Sequence, residues 1–232
     1  MKTIGLLGGM SWESTASYYR LLNEGVRQRL GGLHSAKILL HSVDFHEIDE
    51  HMRAGAWDAA GAQLAAAARA LQAAGADCIL IGTNTLHRVA PAVAAAITVP
   101  LLHVADATAV PVRAAGLSTV GLLGTRFVME QDFYIGRLRE QHGLSVLVPG
   151  AQERPAIHRI IFEELVLGKR IEASRAALQA IMAGLVARGA GGIILGCTEF
   201  ALLVGPGDAT VPLFDTTSLH VVQALDWALS AG

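Results

Sequence analysis

Only two cysteines, Cys78 and Cys197, occur in the 232 residues of this chain. That argues against a disulfide scaffold and fits a reducing, cytoplasmic compartment. The sequence also lacks a basic block; charges of both signs are mixed and the net charge is −2. This argues against nucleic acid and against an anionic membrane surface as partners. No apolar run approaches the ~20 residues of a membrane-spanning helix. Even "AGAQLAAAARALQAAGA" is punctuated by Gln63, Arg69 and Gln72. The opening "MKTIGLLGGMSWES" is too short for a signal-peptide core and has no small-residue cleavage site. Small molecules of neutral or modest charge remain as partners.

Cofactor motifs are missing too. Gly5, Gly8 and Gly9 do not have the G-x-G-x-x-G spacing of a dinucleotide site, and no Gly-Lys-Ser/Thr follows as a P-loop needs. "DFHEIDEH" at 44–51 has His46 and His51 five apart, whereas H-E-x-x-H places its histidines four apart on one helix face. Lys2, Lys37 and Lys169 lie in terminal, strand-start or loop-like settings, not where a pyridoxal-phosphate lysine is expected. The expectation is chemistry without metal or cofactor.

What is present is a rhythm. Just over half the residues are hydrophobic, enough for a sizeable core. Continuously apolar runs at 3–9, 36–44, 76–83, 99–104, 119–125, 144–150, 191–197 and 211–215 predict strands covered on both faces. Helical patterns fill 12–30, 55–74, 86–96, 105–115, 129–142, 154–167, 171–188 and 216–230. Alternating strand and helix predicts an α/β fold with mainly parallel sheets. The pattern also repeats. "TIGLLGGM" at 3–10 matches "TVGLLGTR" at 119–126, "GADCILIGTNT" at 75–85 matches "GAGGIILGCTE" at 189–199, and "VPLLH" at 99–103 matches "VPLFD" at 211–215. Three matches in one order at nearly one offset predict two pseudo-symmetric, Rossmann-like lobes with a site between them. The first lobe takes residues 1–100 and 212–232, its last helix folding back onto it; the second takes 101–211.

Ligands of open parallel sheets bind beyond the carboxyl ends of the strands. Met10, Thr83 and Cys197 stand just past such ends. Two lobes facing each other would bring Thr83 and Cys197 to one ligand from opposite sides. Cysteine also packs like a small hydrophobe, so a buried structural role competes for Cys197. Its strand-end position favours function, and a helix starting after it would lower the thiol pKa below about 8.5. Cys78 lies within a strand and reads as core. Asn84, Thr85 and Thr198 can cap the following helices or hold a substrate carboxylate or ammonium group.

"TNT" and "GCTE", together with "GLLGGMSWEST" and "GLLGT", resemble the aspartate/glutamate racemase family over essentially the whole chain. "HSVDFHEI", "MEQDFY" and "IIFEEL" resemble its branch of broad-specificity amino-acid racemases, also called L-aspartate/glutamate-specific racemases. The resemblance implies cofactor-independent racemisation and a homodimer. One group removes the α-proton of a small amino-acid substrate, and another delivers a proton to the opposite face. Most members use two cysteines; the matching positions here are Thr83 and Cys197. A thiolate suits either role, whereas a hydroxyl is too weak an acid to stand as an alkoxide. Thr83 therefore makes the site asymmetric, either relaying a proton or only binding substrate. Members acting on acidic amino acids hold the distal carboxylate with basic side chains. The approximately matching positions here carry Met52 and Val166, and Val128 stands where the branch usually has threonine. An apolar lining by Met52, Val128 and Val166 favours a neutral substrate side chain, because burying an unpaired carboxylate is costly. Arg53 and Arg126 lie nearby in sequence and could face the pocket, and the three apolar residues could simply pack beneath it. The alternatives are an aspartate/glutamate racemase proper, a single-cysteine decarboxylase or cis–trans isomerase, and a catalytically weak amino-acid-binding protein.

Overall fold

Eight short, almost wholly apolar segments form the strands of a computed structural model that describes residues 1–230. Residues 231–232, part of the expected first lobe, lie outside the described residues. The chain divides into two compact units: Met1–Val104 with the described residues from His220 onward, and Ala105–Leu219. Each contains a four-stranded, all-parallel sheet.

In the first unit the strands are β1 (Ile4–Gly8), β2 (Ile38–Ser42), β3 (Cys78–Ile81) and β4 (Leu101–Leu102), in the order β2-β1-β3-β4. Helices α1 (Trp12–Leu30), α2 (Phe45–Ala54), α3 (Trp57–Ala73) and α4 (Ala90–Ala95) connect them. Side chains alternate across a strand. Ile4, Leu6, Cys78 and Leu80 accordingly share one face and pack with Tyr18, Leu22 and Val26 of α1. Val221, Ala224, Leu225 and Ala228 of the last helix complete that cluster. Helix α1 begins where the Ser11 hydroxyl accepts from the Ser14 N–H, and it carries Glu13 in its first turn, which suits the helix dipole.

The second unit repeats the order with β5 (Thr119–Gly124), β6 (Ser145–Leu147), β7 (Ile193–Gly196) and β8 (Leu213–Asp215), arranged β6-β5-β7-β8. Its helices are α5 (Val104–Ala114), α6 (Arg126–Glu130), α7 (Asp132–His142), α8 (Arg154–Arg159), α9 (Glu172–Ala187) and the start of α10 (Thr216–Leu229). Ile193 and Leu195 pack against Leu178, Met182 and Leu185 of α9.

Four local features depart from the sequence reading. The helix expected over 86–96 begins as a 3₁₀ turn at Thr85–Val89 and is α-helical only over Ala90–Ala95. Residues 44–54 form helix α2, with Asp44 capping the His46 N–H and Gly55 ending it at φ 69°. Only Ile48 and Met52 of this helix are buried, too few to show as a periodic apolar stripe. The helix expected over 129–142 is split at Gln131, which is extended between α6 and α7. The helix expected over 154–167 runs as α8, then a π-helical turn at Ile160–Glu164 and a 3₁₀ turn at Leu165–Leu167.

Candidate active site

Both sheets reverse their strand order between the first and third strands in sequence, β1 and β3 or β5 and β7. The crevice beyond the carboxyl ends at such a switch point is where open α/β sheets bind ligands. Sequence repetition puts the same kind of residue there twice: a glycine, then a short polar or thiol side chain. A Cβ on Gly82 would sit 3.0 Å from the Leu7 carbonyl oxygen, and one on Gly196 would sit 2.8 Å from that of Leu123. The neighbouring strand backbone crowds any side chain at both positions, more severely at Gly196, so Thr83 and Cys197 each follow a glycine.

In the first unit, the end of β1 turns sharply through Gly9, at φ 92°. A Cβ there would collide with the Val43 carbonyl oxygen. The Gly9 N–H donates to Thr15 Oγ1 at 2.7 Å, and the Thr15 hydroxyl donates to the Ser11 carbonyl at 2.9 Å. Met10, within this turn, is buried. Ser14 Oγ donates to the Gly82 carbonyl at 3.1 Å and ties the ends of β1 and β3 together. Thr83, Asn84 and Thr85 are all buried. The Thr83 N–H donates to the Ile81 carbonyl at 2.8 Å. Its own carbonyl accepts from His87 Nδ1 at 2.7 Å. His87 Nε2 accepts from the Val104 N–H at 3.2 Å. A carbonyl can only accept and a backbone N–H only donate, so His87 is neutral and carries its proton on Nδ1. Its ring centroid lies 4.4 Å from that of His103.

In the second unit, Cys197 directly follows β7 and continues the face of Ile193 and Leu195 in the apolar cluster. Its thiol donates to Glu199 Oε2 at 3.0 Å, and Thr198 Oγ1 donates to the same oxygen at 2.6 Å. Cys197 is 6% exposed and Glu199 4%. Burial pushes the Cys197 thiol well above its ordinary value, and the Glu199 carboxylate adds to the effect. This reverses the expected depression. The expected helix N-terminus is missing as well, because only the 3₁₀ turn Phe200–Leu202 follows. Resting Cys197 is therefore a protonated thiol beside a carboxylate.

Cys78 opens β3, is buried, and has its thiol pushed up to about 12, mainly by burial. It packs as core. Met52 is buried on α2. Val128 is buried on α6, its Cγ1 against the open sides of Gly124 and Gly196. Val166 is partly buried against the cluster that contains Cys197. Of the two arginines, Arg53 is exposed and pairs with Asp49 at 2.7 Å. Arg126 is exposed, with its guanidinium 5.5 Å from the Phe127 ring centroid. Among the described residues, no group of three His, Cys, Asp or Glu could hold a metal ion, and no helix is long and apolar enough to cross a membrane.

Sequence reasoning missed Glu199 and His87 as members of these strand ends. The signal for Glu199 was its place two residues after Cys197 in "GCTE". His87 had only its place four residues after Thr83.

The fold is that of the racemases it resembles. The chain belongs to the Asp/Glu/hydantoin racemase family, whose profile matches residues 7–224. It is similar to a candidate Asp/Glu racemase from Yersinia pestis, with 53% identity over 99% of this chain and 100% of that one and a TM-score of 0.93. An aspartate racemase homologue from Pyrococcus horikoshii OT3 is 35% identical over 99% of this chain and 100% of its own, with a TM-score of 0.86. The aspartate racemase of Picrophilus torridus shares the fold at 18% identity, over 97% of this chain and 94% of its own, with a TM-score of 0.75.

Proposed function

We propose that this chain is a cofactor-independent amino-acid racemase in which Cys197 and Thr83 serve opposite faces of the substrate α-carbon. The observation that carries this reading is the buried thiol of Cys197, placed directly after β7 and hydrogen-bonded to a carboxylate. A thiol of this kind can shuttle a proton to and from carbon without metal or cofactor. Thr83 occupies the equivalent strand end in the first unit and brings a hydroxyl instead of a second thiol. Exchange at the face served by Cys197 is then faster than delivery at the other.

The substrate we favour is a free amino acid with a neutral side chain, held with help from Met10, Asn84, Thr85 and Thr198. Met52, Val128 and Val166 supply apolar surface, and burying an unpaired distal carboxylate against them is costly. The arginines nearest these residues in sequence are exposed, and Arg53 already pairs with Asp49. An acidic substrate is the second reading, favoured by the family description and by the relatives from Yersinia and Pyrococcus. We also propose a homodimer working in a reducing cytoplasm, consistent with two free cysteines.

The experiment is incubation of the enzyme with a panel of L-amino acids in heavy water. Both α-deuterium and inversion are read. Neutral amino acids should incorporate deuterium fastest. A clear preference for aspartate or glutamate would overturn the neutral assignment. Amino-acid binding without exchange anywhere in the panel would overturn the racemase itself.

A further inference from the structure

We infer that Glu199 is the proton acceptor that ionises Cys197. The inference deepens the racemase reading and rests on it for one of its two readouts.

Three features carry it. Glu199 Oε2 is the atom to which the thiol donates, at 3.0 Å. Both side chains are buried, so no bulk water stands ready to take the proton. Transfer from sulfur to oxygen moves one negative charge across a single hydrogen bond and leaves the net charge of the buried pair unchanged. It therefore avoids bringing a second charge into an apolar setting. Thr198 Oγ1 holds the same oxygen at 2.6 Å, which fixes the carboxylate against the thiol. Asp215 is a further charged group whose field reaches Cys197, but it is occupied elsewhere. Its Oδ1 accepts from the Thr217 N–H, and its Oδ2 accepts from the N–H and hydroxyl of Ser218 at the start of α10.

In the step we assign, the S–H bond breaks and sulfur keeps the electron pair while an O–H bond forms at Oε2. The thiolate then takes the substrate α-proton, and the C–H pair stays on carbon. Return of that proton restores the substrate unchanged. Solvent deuterium returns to the face it left only after the sulfur-bound proton has been swapped through Glu199, whereas inversion draws its proton from the Thr83 side. Glu199 thus acts through Cys197 without touching substrate.

The test uses the full chain with Glu199→Gln, which keeps the shape and an accepting oxygen, and Glu199→Asp, which keeps the carboxylate. The first readout needs no substrate. It is the pH midpoint of iodoacetamide alkylation at Cys197, separated from Cys78 by peptide mass spectrometry. Removing the carboxylate charge should lower this midpoint in Glu199→Gln by about one pH unit or more, while Glu199→Asp stays near wild type. A midpoint unchanged in Glu199→Gln, or shifted equally in both variants, would overturn the inference. The second readout is α-deuterium incorporation. Glu199→Gln should lose about 100-fold or more in kcat near neutral pH with KM changed less than about threefold. Its rate should climb with pH as hydroxide replaces the missing acceptor. Retention of near wild-type exchange, or the same loss at every pH, would also overturn it. If wild type exchanges the α-hydrogen of no amino acid, the racemase reading fails, and alkylation alone decides the Cys197–Glu199 pair.

Discussion

The imidazole of His87 donates from Nδ1 to the backbone carbonyl of Thr83 at 2.7 Å, four residues back along the chain. Its other nitrogen accepts from the Val104 N–H at 3.2 Å. One side chain therefore satisfies two buried backbone groups, and one of these belongs to the residue proposed to face the substrate. His87 fixes where Thr83 sits without spending its own chemistry on the reaction.

Replacing His87 by phenylalanine keeps bulk and removes both bonds. Two buried backbone groups are left without this partner, each costing about 1–3 kcal/mol. Urea denaturation should show a loss of roughly 2–4 kcal/mol. KM should rise while the alkylation midpoint of Cys197 stays near its wild-type value. A loss under about 0.5 kcal/mol would mean that water or a neighbour replaces the imidazole at no cost.

Cys197→Ser removes the ionisable thiol and leaves a hydroxyl of similar size that can still donate to Glu199. Deuterium incorporation at the α-carbon should fall by about 10²–10⁴-fold, with substrate affinity changed by less than about threefold as read by calorimetry. Substantial exchange in this variant would show that some other group removes the α-proton.

Thr83→Cys should restore a pair of thiols. A thiol with an ordinary pKa of about 8.5 gives a proton to a carbanion far more readily than a hydroxyl does. Inversion should speed up, and α-exchange of the D-enantiomer should approach that of the L-enantiomer. The final D/L ratio cannot change, so deuterium incorporation and inversion must be followed together on both enantiomers. If both rates are unchanged, Thr83 does not occupy the second proton-transfer position.

Asp106 tests acid stability away from these strand ends. Burial raises its pKa, but bonds from Arg137 at 2.6 Å and His142 at 2.8 Å outweigh it and hold the carboxyl below its usual range. A depressed folded-state pKa contributes stability above the unfolded value of about 4, and that contribution is lost as pH falls through the folded value. Asp106→Asn should cost roughly 1–2 kcal/mol at pH 7 and almost nothing near pH 2. A difference that stays constant across this range would refute the assignment.

The sequence by itself determined the α/β class and the repeat. Apolar runs of strand length are short enough to read locally, and duplication copies them with their flanking glycines. It also determined that Thr83 and Cys197 end equivalent strands, because "GTNT" and "GCTE" follow the same apolar run. Helix α2 escaped notice because only two of its residues are buried, and burial is what creates a periodic signal. The breaks at Gln131 and at the π turn of Ile160–Glu164 were hidden because apolar periodicity continues across both. Tertiary structure alone decided the electrostatics of the thiol. From the sequence, Cys197 read as a thiol with a depressed pKa at the start of a helix. In the fold it lies in an apolar cluster, with the Glu199 carboxylate turned back onto its sulfur and only a 3₁₀ turn behind it. Charge state depends on burial and on which groups converge in space, and residue order specifies neither until the chain has packed.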